Sequence, residues 1–325
     1  MIDLNFSYFL GANSAKGFYS LYDGFCKGKY LSVIKGGPGT GKSGFMRRIG
    51  AEAKRRGLDA EYVICSGDVN SLDGVYIPAL HRGWMDGTAP HTADPKSFGV
   101  DGDYVNLGIF CKTPLTGDKR SAAKSLFDEY RTHYARAYKL LAETSAHEAQ
   151  YGERVINELV NALYDIAGSK PTAPTGHYSE RFLRCICGEG VITLNGELSK
   201  LCGEVYCIRS GCERAVLEGL RKRFVNDGIS CIICPSPVEP DAVDAILLPQ
   251  TGFAFTSGAF TVENAHIIEL SETDGGRHEV PDSAVSELKH AKALHDELEE
   301  IFKAETDFSA LTEFTEKYID KIFSD

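Results

Sequence analysis

Residues 36–43 read Gly36-Gly37-Pro38-Gly39-Thr40-Gly41-Lys42-Ser43, a full match to the spacing G-x-x-x-x-G-K-[ST]. The stretch before it, Tyr30-Leu31-Ser32-Val33-Ile34, is apolar and β-branched, which is the composition of a buried strand. After it, Phe45, Met46 and Ile49 fall on one helical face, and Gly57 stops the helix. Strand, glycine loop and helix in this order make a phosphate cradle. The glycines let the backbone curl so that successive N–H groups point at one anion, and the helix N-terminus adds partial positive charge. Lys42 is expected to reach the β- and γ-phosphates, and the Ser43 hydroxyl to hold Mg²⁺. Gly44 follows in the first helical turn, and the whole loop from Gly36 to Gly44 is the candidate ATP-binding segment.

Composition bounds what such a loop serves. A chain of 325 residues, 43% hydrophobic and 25% charged, is of ordinary globular make-up and long enough for two domains. Met1-Ile2-Asp3-Leu4 has no basic or apolar leader character, and no run of 18 apolar residues occurs. Secretion and membrane spanning are therefore not expected, and a cytoplasmic location is. A net charge of −11 disfavours general nucleic-acid binding. Ten cysteines without a leader point to reduced thiols rather than a disulfide framework.

The second half of the chain repeats the first. Phe9-Leu10, Gly17 and Leu21 recur 173 positions later as Phe182-Leu183, Gly190 and Leu194. Ile34-Lys35 recurs as Ile208-Arg209, 174 later, while Ile49 and Gly57 recur as Leu220 and Gly228, 171 later. Asp73 to Pro78 matches Asp244 to Pro249, again 171 apart, and Ser121-Ala122 and Ala142-Glu143-Thr144 recur 162 positions on. The shift from 174 to 171 falls at the glycine loop itself, where the second copy has Ser210-Gly211-Cys212-Glu213-Arg214. The lysine and most glycines are gone there, and Glu213 would repel phosphate. One working site is expected, in residues 1–168. A linker over 169–176 (Ser-Lys-Pro-Thr-Ala-Pro-Thr-Gly) leads to a degenerate repeat over 177–325.

Within the first copy, strands are expected at 30–35, 60–65, 74–77 and 84–86, a helix over 42–56, and a short helix or turn near 69–74. Residues 87–118, rich in Gly, Pro, Asp and His, read as a mobile loop or lid. Helical spacing at Leu126, Tyr130, Tyr134, Ala137 and Leu141, then at Val155 to Leu163, predicts a helical hairpin or one long broken helix. Helices around 283–304 and 308–323 end the second copy. The expected fold class is α/β: a P-loop NTPase with a mostly parallel sheet flanked by helices, in two tandem copies each ending in a helical hairpin.

A P-loop site needs a second acid that anchors Mg²⁺ through water, usually at the end of a neighbouring apolar strand. Asp86, closing Gly83-Trp84-Met85, is the first candidate, and Asp68, after Tyr62 to Gly67, is the second. Asp86 falls on Ser257 in the copy that has lost its lysine. His91 is a candidate general base or substrate contact, and Lys96 a candidate for stabilising transferring charge. Arg82, Arg120 and Arg131 are candidate arginine fingers. Cys185-x-Cys187 and Cys231-x-x-Cys234 have the spacing of zinc ligands, but Cys207, Cys231 and Cys234 lie in apolar strand patterns and read as packing residues.

Four segments together resemble a family of bacterial tandem P-loop ATPases, found mainly in Gram-positive anaerobes and spore formers and largely without assigned function. They are VIKGGPGTGKS, Cys65 to Val75 (CSGDVNSLDGV), Asp86-Gly87-Thr88-Ala89-Pro90-His91 with Asp94-Pro95-Lys96, and Asn106-Leu107-Gly108. The resemblance implies ATP as ligand. Family members usually carry a second P-loop, and this chain departs from them there. The expectation is Mg-ATP hydrolysis at the N-terminal site, with the second copy as scaffold or regulator. The alternatives are a small-molecule or nucleotide kinase, with 87–118 as lid and acceptor site, and a nucleotide-dependent binding module with negligible turnover. An unknown protein or small-molecule partner and homo-oligomerisation remain open. GTP is disfavoured by the lack of an N-K-x-D tetrad, and an ABC-transporter role by the lack of an LSGGQ-like signature.

Overall fold

A computed structural model describes residues 5–89, 93–144, 151–168, 178–209, 211–269 and 279–324. The expected linker and His91 lie outside them. In chain order the first half holds β1 (Phe6–Tyr8), β2 (Gly11–Ser14), β3 (Gly17–Ser20), β4 (Tyr30–Lys35), α1 (Lys42–Arg55), β5 (Glu61–Ile64), β6 (Leu72–Ile77), β7 (Arg82–Asp86) and β8 (Gly102–Asn106). Two helices follow, α2 (Gly117–Ala142) and α3 (Glu153–Ala167). The second half holds β9 (Tyr178–Glu180), β10 (Arg184–Cys187), β11 (Gly190–Thr193), α4 (Asn195–Leu201), β12 (Glu204–Ile208), α5 (Glu213–Asn226) and β13 (Cys231–Pro235). It continues with β14 (Val243–Leu248), β15 (Phe253–Ser257), β16 (His266–Ile268), α6 (Asp282–Lys303) and α7 (Phe308–Ser324).

The protein is α/β, with two six-stranded sheets flanked by helices. The first has the order β1-β5-β6-β7-β4-β8 and the second, read in the matching direction, β9-β13-β14-β15-β12-β16. β6 alone runs against the other five strands of its sheet, and β14 does the same in the other. Both sheets are thus mostly parallel, and each contains one reversed strand that strand periodicity does not disclose. Periodicity gives where a strand lies and says nothing of its direction.

The segment expected to be a loop or lid, 87–118, contains β8, which pairs in parallel with β4 as the edge strand, and a 3-10 turn at Leu107–Phe110. Gly102-Asp103-Tyr104-Val105-Asn106 escapes a periodicity reading because an edge strand needs few buried side chains. Of the apolar pair here, Val105 is buried while Tyr104 is exposed.

The expected helical hairpins do not form. α2 packs along α6 instead of folding back on α3. The apolar stripe of α3, with Val160, Leu163 and Ala167, buries against α5 and one face of the second sheet, beside Ile208, Val216, Leu220 and Phe255. Reciprocally, α7 places Leu311 and Phe323 on α1 and the first sheet, beside Phe45, Ile49 and Trp84. Each half therefore sends its last helix to cover the other half's sheet. The opposite faces of the two sheets share a core in which Tyr8, Val63 and Met85 meet Val205, Cys234 and Leu247. At its margin Phe9 and Phe182 exchange backbone hydrogen bonds, Phe9 N–H to Phe182 O at 2.8 Å and Phe182 N–H to Phe9 O at 2.9 Å.

Because α7 supplies part of the first sheet's cover, residues 1–168 expressed alone expose an apolar face that the full chain buries. That fragment is expected to lack a cooperative urea transition and to regain one when mixed with residues 177–325. A cooperative, monomeric transition for the fragment by itself contradicts the reciprocal cover.

Candidate functional site

The glycine loop joins the end of β4 to the start of α1, and the parallel strands β7 and β8 flank β4. Gly39 and Gly41 adopt φ of +66° and +87°, the left-handed region that turns the backbone inward at low cost only for glycine. Thr40 is buried, and its hydroxyl donates across the loop to Gly37 O at 2.8 Å. Lys42 is 9% exposed. Its Nζ donates to Gly36 O at 3.2 Å and Gly37 O at 2.7 Å, which folds the side chain back over the loop.

Asp86 ends β7 opposite Ile34, and its Oδ2 lies 3.6 Å from Lys42 Nζ. Both side chains are largely buried, at 14% and 10% exposure, so this ion pair is poorly screened. The second carboxylate oxygen of Asp86 is held by Thr88, whose N–H and hydroxyl donate to Oδ1 at 2.9 and 2.6 Å. Ser43 Oγ accepts the Leu72 N–H at 3.0 Å, which ties the start of α1 to the start of β6. Pro38 sits at the crown of the loop, and Gly44 faces open space.

The remaining candidates fall elsewhere. Asp68 turns toward α6, where Lys292 Nζ is 3.4 Å away, and it borders a cavity of about 300 Å³. That cavity lies between the 67–70 loop, the turn at Cys187–Glu189 and α6 at Lys289, Lys292 and Asp296. Lys96 is exposed. Arg82 is at the start of β7, four residues and about 13 Å of strand from Asp86. There it bonds Ser32 Oγ, Asp103 and the Tyr318 hydroxyl, a latch that holds α7. Arg120 and Arg131 are exposed on α2. None of these three arginines belongs to the Lys42–Asp86 cluster.

Two groups near the loop were not singled out from the sequence. Asp73 is 3% exposed and accepts the Tyr22 hydroxyl at 2.7 Å. Asp73 precedes Gly74, which pairs with Met85, so Asp73 and Asp86 lie near the same end of adjacent strands. Burial, then the charges of Asp73 and Asp86, hold the Tyr22 phenol protonated. The signal for Asp73 was its retention as Asp244 in the repeat. In the second half the corresponding carboxylate, Asp244, is paired with Arg184 Nη1 at 2.6 Å and accepts from Ser257 Oγ at 3.4 Å. The position of Asp86 is there taken by Ser257, paired with Ile208 as Asp86 is with Ile34.

The other group is α6. A Cβ added to Gly39 would lie 2.7 Å from Glu299 O and 3.0 Å from Lys303 Cγ, and one added to Gly37 would lie 3.0 Å from Phe302. One added to Gly41 would lie 2.6 Å from Leu311 of α7. The glycines therefore serve close approach of the second half as well as loop curvature.

The arrangement offers a lysine, a partly buried carboxylate, a hydroxyl and a helix N-terminus converging at the C-terminal edge of a parallel sheet, where such folds bind ligands. Among the described residues, no group of three or more His, Cys, Asp and Glu comes together to hold a metal. A divalent cation at this edge would therefore need oxygens from its ligand, as Mg²⁺ characteristically does. Among the described residues no helix is long and apolar enough to cross a membrane. Protein-family models, curated proteins and solved structures contain no match to this chain.

Gly39→Ala is expected to cost about 1–2 kcal/mol from its positive φ, with a further loss from the Glu299 contact. Gly44→Ala, in an exposed helical position with nothing near its Cβ, is expected to gain about 0.5–1 kcal/mol. Urea titration of the two variants tests this, and equal effects contradict the described loop geometry.

Proposed function

We propose that this chain is a P-loop NTPase built from two tandem copies, which binds and hydrolyses Mg-ATP at a single site in its N-terminal half. The observation that carries the reading is the buried approach of Lys42 to Asp86 across the mouth of the glycine loop. Lys42 would exchange its bonds to Gly36 O and Gly37 O for phosphate oxygens, and the loop N–H groups would hold the β-phosphate. Ser43 and, through water, Asp86 would hold Mg²⁺, which neutralises charge developing on the phosphates. Asp73, on the strand beside that of Asp86, adds a second carboxylate near the same sheet edge.

Matching strand orders support the duplication, and so does the Phe9–Phe182 bridge. These two residues are equivalent in the repeat, and mutual contact between equivalents is what a two-fold arrangement produces at its axis. The degenerate half has no lysine at its loop, and Arg184 neutralises its retained acid, so scaffold or regulator is the role assigned to it. A kinase is the second reading, favoured by the cavity beside Asp68, which offers room for an acceptor.

Lys42→Ala is expected to cost about 2–5 kcal/mol in Mg-ATP binding, a loss of affinity of about 30-fold to several thousand-fold. Asp86→Asn is expected to retain ATP binding but lose its Mg²⁺ dependence. Single turnover with γ-labelled ATP should release free phosphate. Label appearing on a small molecule establishes the kinase reading, and binding unchanged in Lys42→Ala removes both.

A further inference from the structure

α6 belongs to the second half, yet it runs across the loop of the first. Its face reads Lys292, His295, Glu299 and Phe302-Lys303, spaced three and four apart as neighbours on one side of a helix. The two ends of this face are fixed independently. Lys292 pairs with Asp68 at 3.4 Å at one end, and at the other the Glu299 carbonyl and Lys303 stem lie against Gly39, with Phe302 against Gly37. His295 lies between them, one helical turn or about 6 Å along the axis from Glu299. The Lys42 charge is the smallest of those acting on it.

The geometry points to His295 as the general base of ATP hydrolysis, supplied to the N-terminal site by the C-terminal half. This rests on the proposed Mg-ATP reading, and it makes water the acceptor. Several groups surround the imidazole. On α6, Glu299 Oε1 is 3.7 Å from Nδ1, with Asp296 and Lys292 on either side; from α1 comes the charge of Lys42. From α2 the Tyr130 ring meets it edge-on, with centroids 6.2 Å apart. At 3.7 Å the Glu299 contact with Nδ1 is an electrostatic one, longer than a hydrogen bond, and the other Glu299 oxygen pairs with Lys303 Nζ at 3.0 Å. Nε2 is the nitrogen assigned to accept a proton. Burial pulls the imidazole below the usual histidine range. Glu299 and Asp296 oppose that shift, and Lys292 and Lys42 reinforce it. A neutral imidazole at pH 7 is the state a base requires.

In the step, a water oxygen bonds to the γ-phosphorus while the bond from phosphorus to the β–γ bridging oxygen breaks. That electron pair leaves with ADP. The water proton passes to His295 Nε2 and then to solvent, so ATP and water give ADP, phosphate and a proton.

His295→Gln keeps helix propensity at a half-exposed position, so the variant is expected to fold, and its thermal midpoint checks this. Its kcat is expected to fall 10²–10⁴-fold, with Mg-ATP affinity within about 3-fold of wild type. The wild-type kcat should decline as pH drops below about 6.5, through a value lowered from the ordinary histidine pKa, and this acid limb should vanish in the variant. Glu299→Gln should reduce kcat more mildly and shift the limb. A His295→Gln variant with near-normal kcat, or with its acid limb intact, overturns the assignment while leaving ATP hydrolysis standing. Wild type that binds no Mg-ATP overturns the nucleotide reading itself.

Discussion

The reciprocal exchange of terminal helices is the constraint from which the rest of the structure follows. Each sheet has one face turned to the shared core and one face that its own half covers only in part. α3 completes the second sheet and α7 completes the first. Apolar burial is the main stabilising term in folding, so neither half has a complete core without the other. A second half whose loop carries no lysine still has to keep its sheet, its α6 and its α7, because the first half packs on them. Its six strands, β9 and β12 to β16, are accordingly all present.

The same exchange decides what reaches the glycine loop. α6 runs antiparallel beside α2 and arrives over Gly37 and Gly39, while α7 starts against Gly41. The loop is thereby built from one half and roofed by the other, as a neighbouring subunit would roof it in a dimer. The loop glycines are held in close approach to Glu299, Phe302 and Leu311.

Local patterns in the sequence disclosed the strand at 30–35, the helix expected over 42–56 and the helices expected around 283–304 and 308–323, and they placed Asp86 at the end of a strand. Those features depend on period and on short-range order, which one chain segment carries by itself. The repeat held a signal for Asp73, in its counterpart Asp244, that was not read as a site residue. What stayed hidden was set by distant partners. The reversed direction of β6 and β14 depends on sheet assembly, and β8 shows a single buried apolar side chain. The partners of α2 and α3 lie more than 40 residues away along the chain. Helical spacing reports that a stripe is apolar but not which surface it meets, and a hairpin was the nearest local answer. His295 was illegible for the same cause, since nothing near residue 295 in the sequence names Lys42 as its neighbour.

The central claim is that two sheets of matching topology share one working nucleotide site, at Gly36–Ser43. Calorimetric titration of the full chain with Mg-ATP tests it most directly. The account predicts one ATP per chain, with that binding strongly weakened in Lys42→Ala. Two ATP per chain, or one bound with unchanged affinity in Lys42→Ala, contradicts it.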